Sequence, residues 1–438
     1  MSNLKGIMGE FEEKNVRFVR PVFVDILGRM LDFTVPVEEF EDMIKNGKGF
    51  DGSSVDGFAR IEESDLTFIP DVDTLTILPW EYKGSENSWR EAVVFGYIYD
   101  SNGKMYEGDT RRLLKTVIEK HESIGVPKCG AELEFFIFDN DKCPNHTDNG
   151  GYFRAGLYGE IRKESQIMLN SMGIRTEFDH HEVAQSQHEI DLTYTDALRM
   201  ADYIILTKYV VKKIARRFGL YASFMPKPVS SINGNGMHIH LSLWKNGKNI
   251  FFDDKEKLSK ELRSYIAGLI KYGREIQAGV NQWINSYKRL IPGYEAPTYL
   301  VWGKRNRSAY IRVPEYQKGK ESAIRIEVRN PDPACNPYIA ISLIHAAGIR
   351  GIEEGLEPPE PIEFDVFHTS EAERRKLKIG ELSPSLDRSL ELFENSNLVK
   401  QTLTEHIYRK FIENKKIECK NFNKHVTDYE IENYFGVL

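Results

Sequence analysis

The chain has 438 residues, of which 41% are hydrophobic and 29% charged, with a formal net charge of −7; this is typical of a globular protein of two or three domains. The acidic balance argues against a nucleic-acid-binding or anionic-membrane surface, and the lack of a signal peptide or long apolar run predicts a cytoplasmic protein. The four cysteines include no CxxC pair, which argues against a zinc site or disulfide framework.

The first part of the chain, residues 1–104, is predicted to form a small α+β domain. An amphipathic helix is expected over 1–13 and a short helix over 38–46, where Gly47 ends it. Alternating apolar residues and turn signals predict strands within 16–36, 66–69, 75–78 and 92–99, with a tight turn at Asn102-Gly103.

The remainder, residues 105–438, is predicted to form a larger α+β domain. Asp109 is expected to cap its first helix, whose apolar stripe ends before Gly125. Further helices are predicted over 158–172, 195–218, 258–277, 337–354, 385–395 and 399–414, with strands between them.

The strand predicted over 131–139 carries two carboxylates on one face. Its side chains alternate, so that Glu132 and Glu134 point away from Leu133 and Phe135. Neighbouring carboxylates repel each other, and a divalent cation would remove that conflict, although a solvated or salt-bridged face would give the same pattern.

Two later segments share this design and favour the cation. One carries His238, His240 and Ser242 on a single face, and the other carries Arg325, Glu327 and Arg329. If these strands belong to one sheet, its polar side combines metal ligands with anion receptors. That combination indicates phosphoryl transfer, although no GxxxxGK or GxGxxG nucleotide loop is present.

Five further stretches add polar residues to this picture. Residues 50–57 form a turn in which Asp51 could simply cap backbone N–H groups. Residues 179–191 are too polar for a core, and the glycines of 231–236 allow close approach of a ligand. Residues 285–297 are expected to be a mobile loop, and 305–312 concentrate three arginines that could bind phosphate.

Seven ordered motifs resemble those of type I glutamine synthetases: FDGSSVDGF, AELEFFIF, HHEVA…QHEID, NGNGMHIHLS, NSYKRLIPGYEAP, RNRSAYIR and RIEVRNPDPACNPY. The resemblance covers residues 16 to 438. It implies a β-grasp domain followed by a catalytic domain with a curved antiparallel sheet and flanking helices. It also implies a dodecamer of two hexameric rings, whose active sites are shared between neighbouring subunits.

The resemblance also implies the site residues. Two or more Mg²⁺ or Mn²⁺ ions would be held by Glu134, Glu182 and Glu189, and by Glu132, His238 and Glu327. Glutamate would contact Asn233, Gly234, Arg289, Arg329 and Glu295, the last on a loop that closes over it. ATP would contact Glu177, His240, Ser242, Arg307, Arg312, Lys320 and Arg325. Catalytic roles would fall to Asp51, Ser54, Glu295 and Arg307, with Asp51 deprotonating ammonium.

The implied reaction is the ATP-dependent ligation of ammonium to L-glutamate through γ-glutamyl phosphate. A carboxylate is a poor electrophile until it is phosphorylated, ammonium needs a base, and the acyl phosphate needs protection from water. Two departures stand out: Ser186 occupies a position that is usually glycine, and the adenylylation tyrosine motif is not recognisable. The chain therefore resembles the shorter, unadenylylated α form, which is controlled by small effectors.

Three alternatives remain open at this point: a γ-glutamyl–amine (polyamine) ligase, a guanidino kinase, and a nitrogen-sensing binding protein without catalysis. The intact Asp51 and Ser54 count against the first two, and the complete ligand set counts against the third. Outside the catalytic motifs, Arg20, Arg90 and Arg175 are a possible effector site for a dicarboxylate such as 2-oxoglutarate, although surface salt bridges are the simpler explanation.

Overall fold

The computed structural model describes residues 2–53, 55, 65–84, 87–155, 158–254, 257–316 and 319–438. Ser54 and residues 56–64 therefore lie outside the described residues.

The N-terminal part is built on one mixed sheet. Its two central strands, Val16–Val24 and Ser88–Tyr99, run parallel to each other. Beyond Ser88–Tyr99 the sheet continues with antiparallel strands, and the strand at that edge carries Asp51. The strands are β1 Val16–Val24, β2 Met30–Asp32, β3 Val35–Pro36, β4 Lys48–Asp51, β5 Asp65–Pro70, β6 Thr76–Ile77, β7 Tyr82–Lys83 and β8 Ser88–Tyr99. Asp51 is thus the last residue of an edge strand.

Two helices complete this part, α1 Ser2–Glu13 and α2 Phe40–Asn46, the second preceded by a 3-10 turn over Val37–Glu39. Phe40 and Met43 of α2 are fully buried and pack with Phe68 of β5. The predicted helices and strands of this domain are confirmed in type.

The C-terminal part contains a long curved sheet in the order β10-β11-β9-β13-β20-β19-β18, with β12 beside β9 and β14 beside β13. Its pairs are antiparallel except β18–β19, which is parallel. The strands of this part are β9 Val126–Phe138, β10 Thr176–His181, β11 Gln187–Asp196, β12 Tyr221–Ser223, β13 Met237–Lys245, β14 Lys248–Asn249, β15 Phe252–Asp253, β16 Lys257–Leu258, β17 Tyr299–Leu300, β18 Trp302–Gly303, β19 Ile311–Arg312, β20 Ile326–Val328 and β21 Gly380–Glu381.

Helices pack on the apolar side of this sheet, where Leu133, Ile239 and Ile326 are fully buried. The helices of this part are α3 Thr110–His121, α4 Gly159–Ser171, α5 Ala197–Arg217, α6 Lys260–Val280, α7 Ile284–Arg289, α8 Pro337–Glu353, α9 Glu371–Lys376, α10 Leu386–Asn395, α11 Asn397–Thr402, α12 Glu405–Phe422 and α13 Asp428–Glu430, the last followed by a π-helical turn over Ile431–Phe435. Asp109 caps α3 as predicted, because its side chain accepts from the backbone N–H groups of Arg111 and Arg112.

Two predictions about these elements are wrong. The helix expected over 399–414 is two helices, α11 and α12, because Thr404 is extended and its hydroxyl caps the second one at Ile407 N. The loop expected over 285–297 begins as α7, which places Arg289 on a helix rather than on a mobile segment. Among the described residues, no helix has both the length and the apolar composition needed to cross a bilayer.

Candidate active site

The register of four neighbouring strands, β11, β9, β13 and β20, brings the predicted polar faces together. In β9 and β13, Glu132 lies opposite His238, and in β11 and β9, Glu189 lies opposite Glu134. His240 of β13 lies opposite Glu327 of β20. Since opposite residues of paired strands point to the same face, the three segments form one polar wall.

The first cluster on this wall consists of Glu132, His238 and Glu327, whose ligand-type atoms all lie within 4.8 Å of one another. His238 Nδ1 is 2.8 Å from Glu132 Oε2 and 3.6 Å from Glu327 Oε1. Burial opposes ionisation of Glu132, but contacts with His240 and His238 outweigh it and hold the pKa of this carboxyl well below its usual range.

Arginines surround this cluster. Glu327 is 1% exposed and forms ion pairs with Arg312 at 2.7 Å and Arg329 at 2.9 Å. Although burial opposes ionisation, Arg329 holds the pKa of Glu327 below its ordinary value. On the other side, Arg325 donates to His240 Nδ1 at 3.0 Å, so His240 keeps its proton on Nε2 and donates it to Glu132 at 2.6 Å.

The second cluster consists of His180, Glu182 and Glu189, again within 4.8 Å of one another. His180 Nε2 is 3.0 Å from Glu189 and its Nδ1 is 3.4 Å from Glu182. Burial and the Glu134 carboxylate raise the pKa of Glu182 to about 7 and raise that of Glu189 well above its usual range. Burial and Glu189 likewise raise the pKa of the adjacent Asp191 to about 10.

Glu134 lies between the clusters but makes different contacts. Its Oε2 accepts from Gln187 Nε2 at 2.9 Å and from the backbone N–H of Gly236 at 2.8 Å. Gly236 is required at this position because a Cβ would lie 2.6 Å from a nitrogen of Arg289 and 3.1 Å from His238 Nε2.

Arg289 is 3% exposed and donates to three backbone carbonyls, those of Arg329, Asn330 and Pro331. Its buried charge has no carboxylate partner among the contacts described, and burial lowers its pKa. A cation buried in this way is suited to an anionic ligand.

These residues open onto a cavity of about 1140 Å³. Its far wall is the flap, residues 292–296, which connects α7 to β17. Asn233 donates to Glu295 at 2.6 Å across the cavity, and the guanidinium of Arg307 lies 5.8 Å from the ring centroid of Tyr152. The predicted residues that line the cavity are Glu132, Glu134, Glu182, Glu189, Asn233, Gly234, His238, Arg289, Glu295, Arg307, Arg312, Glu327 and Arg329.

Six other predicted residues are not among the described residues that line the cavity. These are Asp51, Glu177, His240, Ser242, Lys320 and Arg325. Asp51 is exposed and its carboxylate accepts from Ser53 N at 2.8 Å, which lowers its pKa. His240 and Arg325 contact each other behind Glu132, whereas Ser242 accepts from Trp244 Nε1.

The three arginines considered for an effector site have separate contacts. Arg20 is paired with Asp32 at 2.6 Å and Glu91 at 3.4 Å and donates to Tyr209. Arg90 is paired with Glu81 at 2.8 Å. Arg175 is exposed.

Sequence reasoning did not select His180, Asp191, Gln187 or Tyr152, all of which line the cavity. A signal existed for His180, because alternation along β10 places it on the same side as Glu182. Asp191 could have been found in the same way from Glu189. Nothing local in the sequence marks Gln187 or Tyr152.

The comparisons with known proteins agree with this arrangement. Residues 15–101 match the family model described as the β-grasp domain of glutamine synthetase, and residues 107–434 match the one described as its catalytic domain. The chain belongs to the glutamine synthetase family. The resemblance to type I glutamine synthetases and the predicted fold, a β-grasp domain followed by a catalytic domain, are confirmed.

Relatives named glutamine synthetase are similar over nearly the whole chain. The protein from Thermotoga maritima is 43% identical over 433 residues, covering 97% of each chain, and the one from Methanosarcina mazei is 41% identical over 442 residues, covering 99% of this chain and 97% of its own. A solved GmaS chain in complex with ADP superposes with a TM-score of 0.87 at 29% identity, covering 98% of this chain and 99% of its own. The glutamine synthetase of Plasmodium falciparum gives 0.85 at 28% identity, covering 97% and 96%.

Proposed function

We propose that this cavity is the site where the chain joins ammonium to L-glutamate, forming L-glutamine, ADP and phosphate from ATP. The protein is a glutamate–ammonia ligase. The observation that carries the assignment is the shared wall, on which two carboxylate–histidine clusters lie beside the buried, carboxylate-free Arg289. Metal ligands and an anion receptor in one cavity suit a reaction between a carboxylate and a nucleotide phosphate.

The donor sets fit divalent cations. Glu182, Glu189 and Asp191 have raised pKa values because they are buried among like charges, and hard cations that take oxygen and imidazole ligands would relieve this conflict. We assign one Mg²⁺ or Mn²⁺ to Glu132, His238 and Glu327 and another to Glu182, Glu189 and Glu134, with His180 within reach of the second. Bound there, the ions would neutralise phosphate charge.

The chain's own residues bind and orient the substrates. Arg289, Asn233 and Gly234 hold glutamate, with Arg329 beside them, and Glu295 closes over it. Arg307 and Arg312 reach the cavity where the transferred phosphate must lie. His240, Ser242, Lys320, Arg325 and Glu177 are assigned to the remainder of ATP, along the strands beyond the cavity.

Two steps balance the reaction. The γ-carboxylate oxygen of glutamate attacks the γ-phosphorus of ATP, and the bond to the ADP oxygen breaks. Ammonium gives a proton to Asp51, whose lowered pKa keeps it ionised; the resulting ammonia attacks the carbonyl carbon of the phosphorylated γ-carboxyl group, and phosphate leaves. Ser54 is assigned to the same ammonium site.

Asp51 must reach a cavity in another copy of the chain if this assignment is right. It ends an edge strand, is exposed, and is not among the described residues that line the cavity of its own chain. We therefore assign Asp51 to the neighbouring subunit's site, in a ring closed by a heterologous interface. We propose a dodecamer of two hexameric rings, which is what the family resemblance implies.

Four further assignments concern the domain boundary, the cellular compartment, the form of the enzyme and its effector control. The domain boundary is placed at residues 104 and 105, between the two stretches that the family models match. The enzyme is assigned to the cytoplasm and to the α form, and Arg20, Arg90 and Arg175 to effector control. Of these three, Arg175 is the side chain whose charge is most accessible, since Arg20 and Arg90 have carboxylate partners.

One assay tests the function against its alternatives. Formation of ADP from ATP and glutamate is measured with ammonium, then with polyamines, and then with creatine in place of glutamate and amine. Turnover with ammonium, with glutamine as product, is expected. Turnover only with polyamines would identify the amine ligase, turnover with creatine the kinase, and ligand binding without turnover the sensor. The relatives named glutamine synthetase, which are 43% and 41% identical over nearly the whole chain, favour ammonium.

A further inference from the structure

We propose that Lys227 is a positioning residue that holds the flap closed over the glutamate site. The proposal rests on the proposed function, because the flap matters only if an intermediate that water can destroy forms beneath it. Lys227 does not line the cavity and belongs to none of the motifs considered in the sequence.

The side chain of Lys227 contacts the flap from below. Its ammonium nitrogen lies 3.7 Å from the ring centroid of Tyr294, the central residue of the flap. This is a close cation–π contact, and it is desolvated, since Lys227 is 5% exposed. Burial and the nearby Arg289 lower the pKa of Lys227 to about 8, so it remains largely charged at neutral pH.

The same ammonium is fixed to the loop that contacts glutamate. It donates to the backbone carbonyl of Ile232, which directly precedes Asn233. The aliphatic part of Lys227 packs beside Gly234, where an added Cβ would lie 3.2 Å from its Cδ. Lys227 thus connects the flap to the segment carrying two proposed glutamate contacts.

The backbone of Lys227 is itself fixed, so the side chain has a rigid base. Its N–H donates to Asn285 Oδ1 at 2.7 Å, and its carbonyl accepts from Asn285 Nδ2 at 3.0 Å. Asn285 is in α7, the helix that ends with Arg289 and leads into the flap. The lysine and the flap are therefore anchored to one helix.

The flap needs such a contact because its backbone is strained. Gly293 has φ of 93° and Glu295 has φ of 57°, and the second is a left-handed conformation that a glutamate rarely adopts. Two side-chain contacts oppose the relaxation of this loop: Asn233 to Glu295, and Lys227 to Tyr294. The Asn233–Glu295 contact joins two residues that are proposed to bind glutamate, whereas the Lys227–Tyr294 contact involves neither of them.

Loss of the Lys227 contact should expose the acyl phosphate to water. Water attacking the carbonyl carbon of γ-glutamyl phosphate breaks the same C–O bond as ammonia does and returns glutamate and phosphate. The sum is ATP hydrolysis without glutamine. A loosened flap therefore raises the ratio of phosphate released to glutamine formed, which a merely structural lysine would not change.

The experiment measures that ratio at limiting ammonium, together with the KM for glutamate, in the assembled enzyme. Lys227→Met is expected to raise the ratio at least two-fold and KM several-fold, and Lys227→Arg, which keeps a cation over the ring, to restore both. Tyr294→Phe should behave as wild type and Tyr294→Leu as Lys227→Met. The control is Lys213→Met, which removes a cation 5.0 Å from the Tyr82 ring, away from the flap.

Two results decide the proposal. If Lys227→Met and Tyr294→Leu combined are no worse than either alone, the two side chains act through one contact, and the proposal holds. A ratio unchanged from wild type in both single variants, or additive effects in the double variant, would overturn it. Wild-type glutamine formation in the same assay tests the proposed function separately.

Discussion

The Ser186 hydroxyl accepts a hydrogen bond from the Thr147 backbone N–H at 2.7 Å, while Ser186 itself has a left-handed φ of 63°. Its backbone N–H donates to Asp148 at 2.7 Å, and the residue is fully buried. A left-handed backbone favours glycine, the residue that the resemblance to type I enzymes implies at this position. The hydroxyl supplies a contact that glycine lacks, so the serine compensates for part of the strain it introduces.

Ser186→Ala should therefore be less stable than both wild type and Ser186→Gly. Alanine keeps the left-handed strain and leaves the Thr147 N–H unsatisfied, a loss of about 1–3 kcal/mol, whereas glycine removes a strain of about 1 kcal/mol. Denaturant midpoints of the three proteins, measured under identical metal concentration, give the order. An alanine variant as stable as wild type would contradict the account.

Glu327→Gln should lower metal-dependent phosphate release from ATP by about 100-fold or more, because the variant loses a charged ligand of the proposed first metal while keeping the shape of the side chain. The fold should survive, since the apolar side of β20, Ile326 and Val328, is unchanged. Activity and circular dichroism are compared at ordinary and at tenfold raised Mg²⁺. Wild-type turnover at ordinary Mg²⁺ would remove Glu327 from the site.

Metal binding should release protons near neutral pH. The pKa of Glu182 is raised to about 7 from an ordinary 4.5, so below pH 7 its carboxyl is largely protonated until a cation displaces the proton. Metal affinity should rise as pH rises from 6 to 8. Titration calorimetry at pH 6.5 in two buffers of different ionisation enthalpy measures the protons, and Glu182→Gln should release fewer.

The same raised pKa sets the sign of a stability effect in EDTA. A carboxyl whose pKa is higher in the folded than in the unfolded protein stabilises the fold below the unfolded value and loses that contribution as pH rises through the folded value. Glu182 should thus make the chelated enzyme less stable at pH 8 than at pH 5, and Glu182→Gln should reduce the difference. If Glu182→Gln showed the same stability difference between pH 5 and pH 8 as wild type, the raised pKa of Glu182 would be contradicted.

The polar wall could be predicted from the sequence because strand alternation is local. Glu132 and His238 were assigned to polar faces from their neighbours alone, and the register confirms that they meet. The break at Leu403–Thr404 was missed because an apolar helical pattern runs across it, and only the Thr404 hydroxyl signals a new start. The support of Ser186 by Thr147, 39 residues away in sequence, depends on tertiary contacts that no local pattern contains.

Two inactive variants should restore activity to each other if each site is shared between subunits. Asp51→Ala keeps an intact cavity and Arg307→Ala keeps an intact Asp51. With equal random mixing in a ring, about one site in four receives both intact halves. Activity near a quarter of wild type is expected from co-expressed variants. No recovery, with mixed rings verified by native mass spectrometry, would mean that each chain completes its own site.

Arg175→Ala should weaken the response to 2-oxoglutarate several-fold while leaving basal activity unchanged, because a dicarboxylate needs a guanidinium that is not already neutralised. Arg388→Ala is the matched control, an exposed arginine paired with Glu391 at one helix surface. Activity is titrated with 2-oxoglutarate at fixed substrates. If Arg175→Ala and Arg388→Ala respond equally to 2-oxoglutarate, Arg175 is not part of the effector site. An unchanged response in Arg20→Ala would exclude Arg20 from that site in the same way.

The alternation of β9 and β13 also restricts how this protein can evolve. Each strand presents core residues and proposed ligands on opposite faces, so deleting or inserting a single residue within it would turn Leu133 toward solvent and Glu132 into the core. Folding and chemistry would then fail together. Changes of length are therefore expected to accumulate in the connecting loops, while these strands diverge only by substitution.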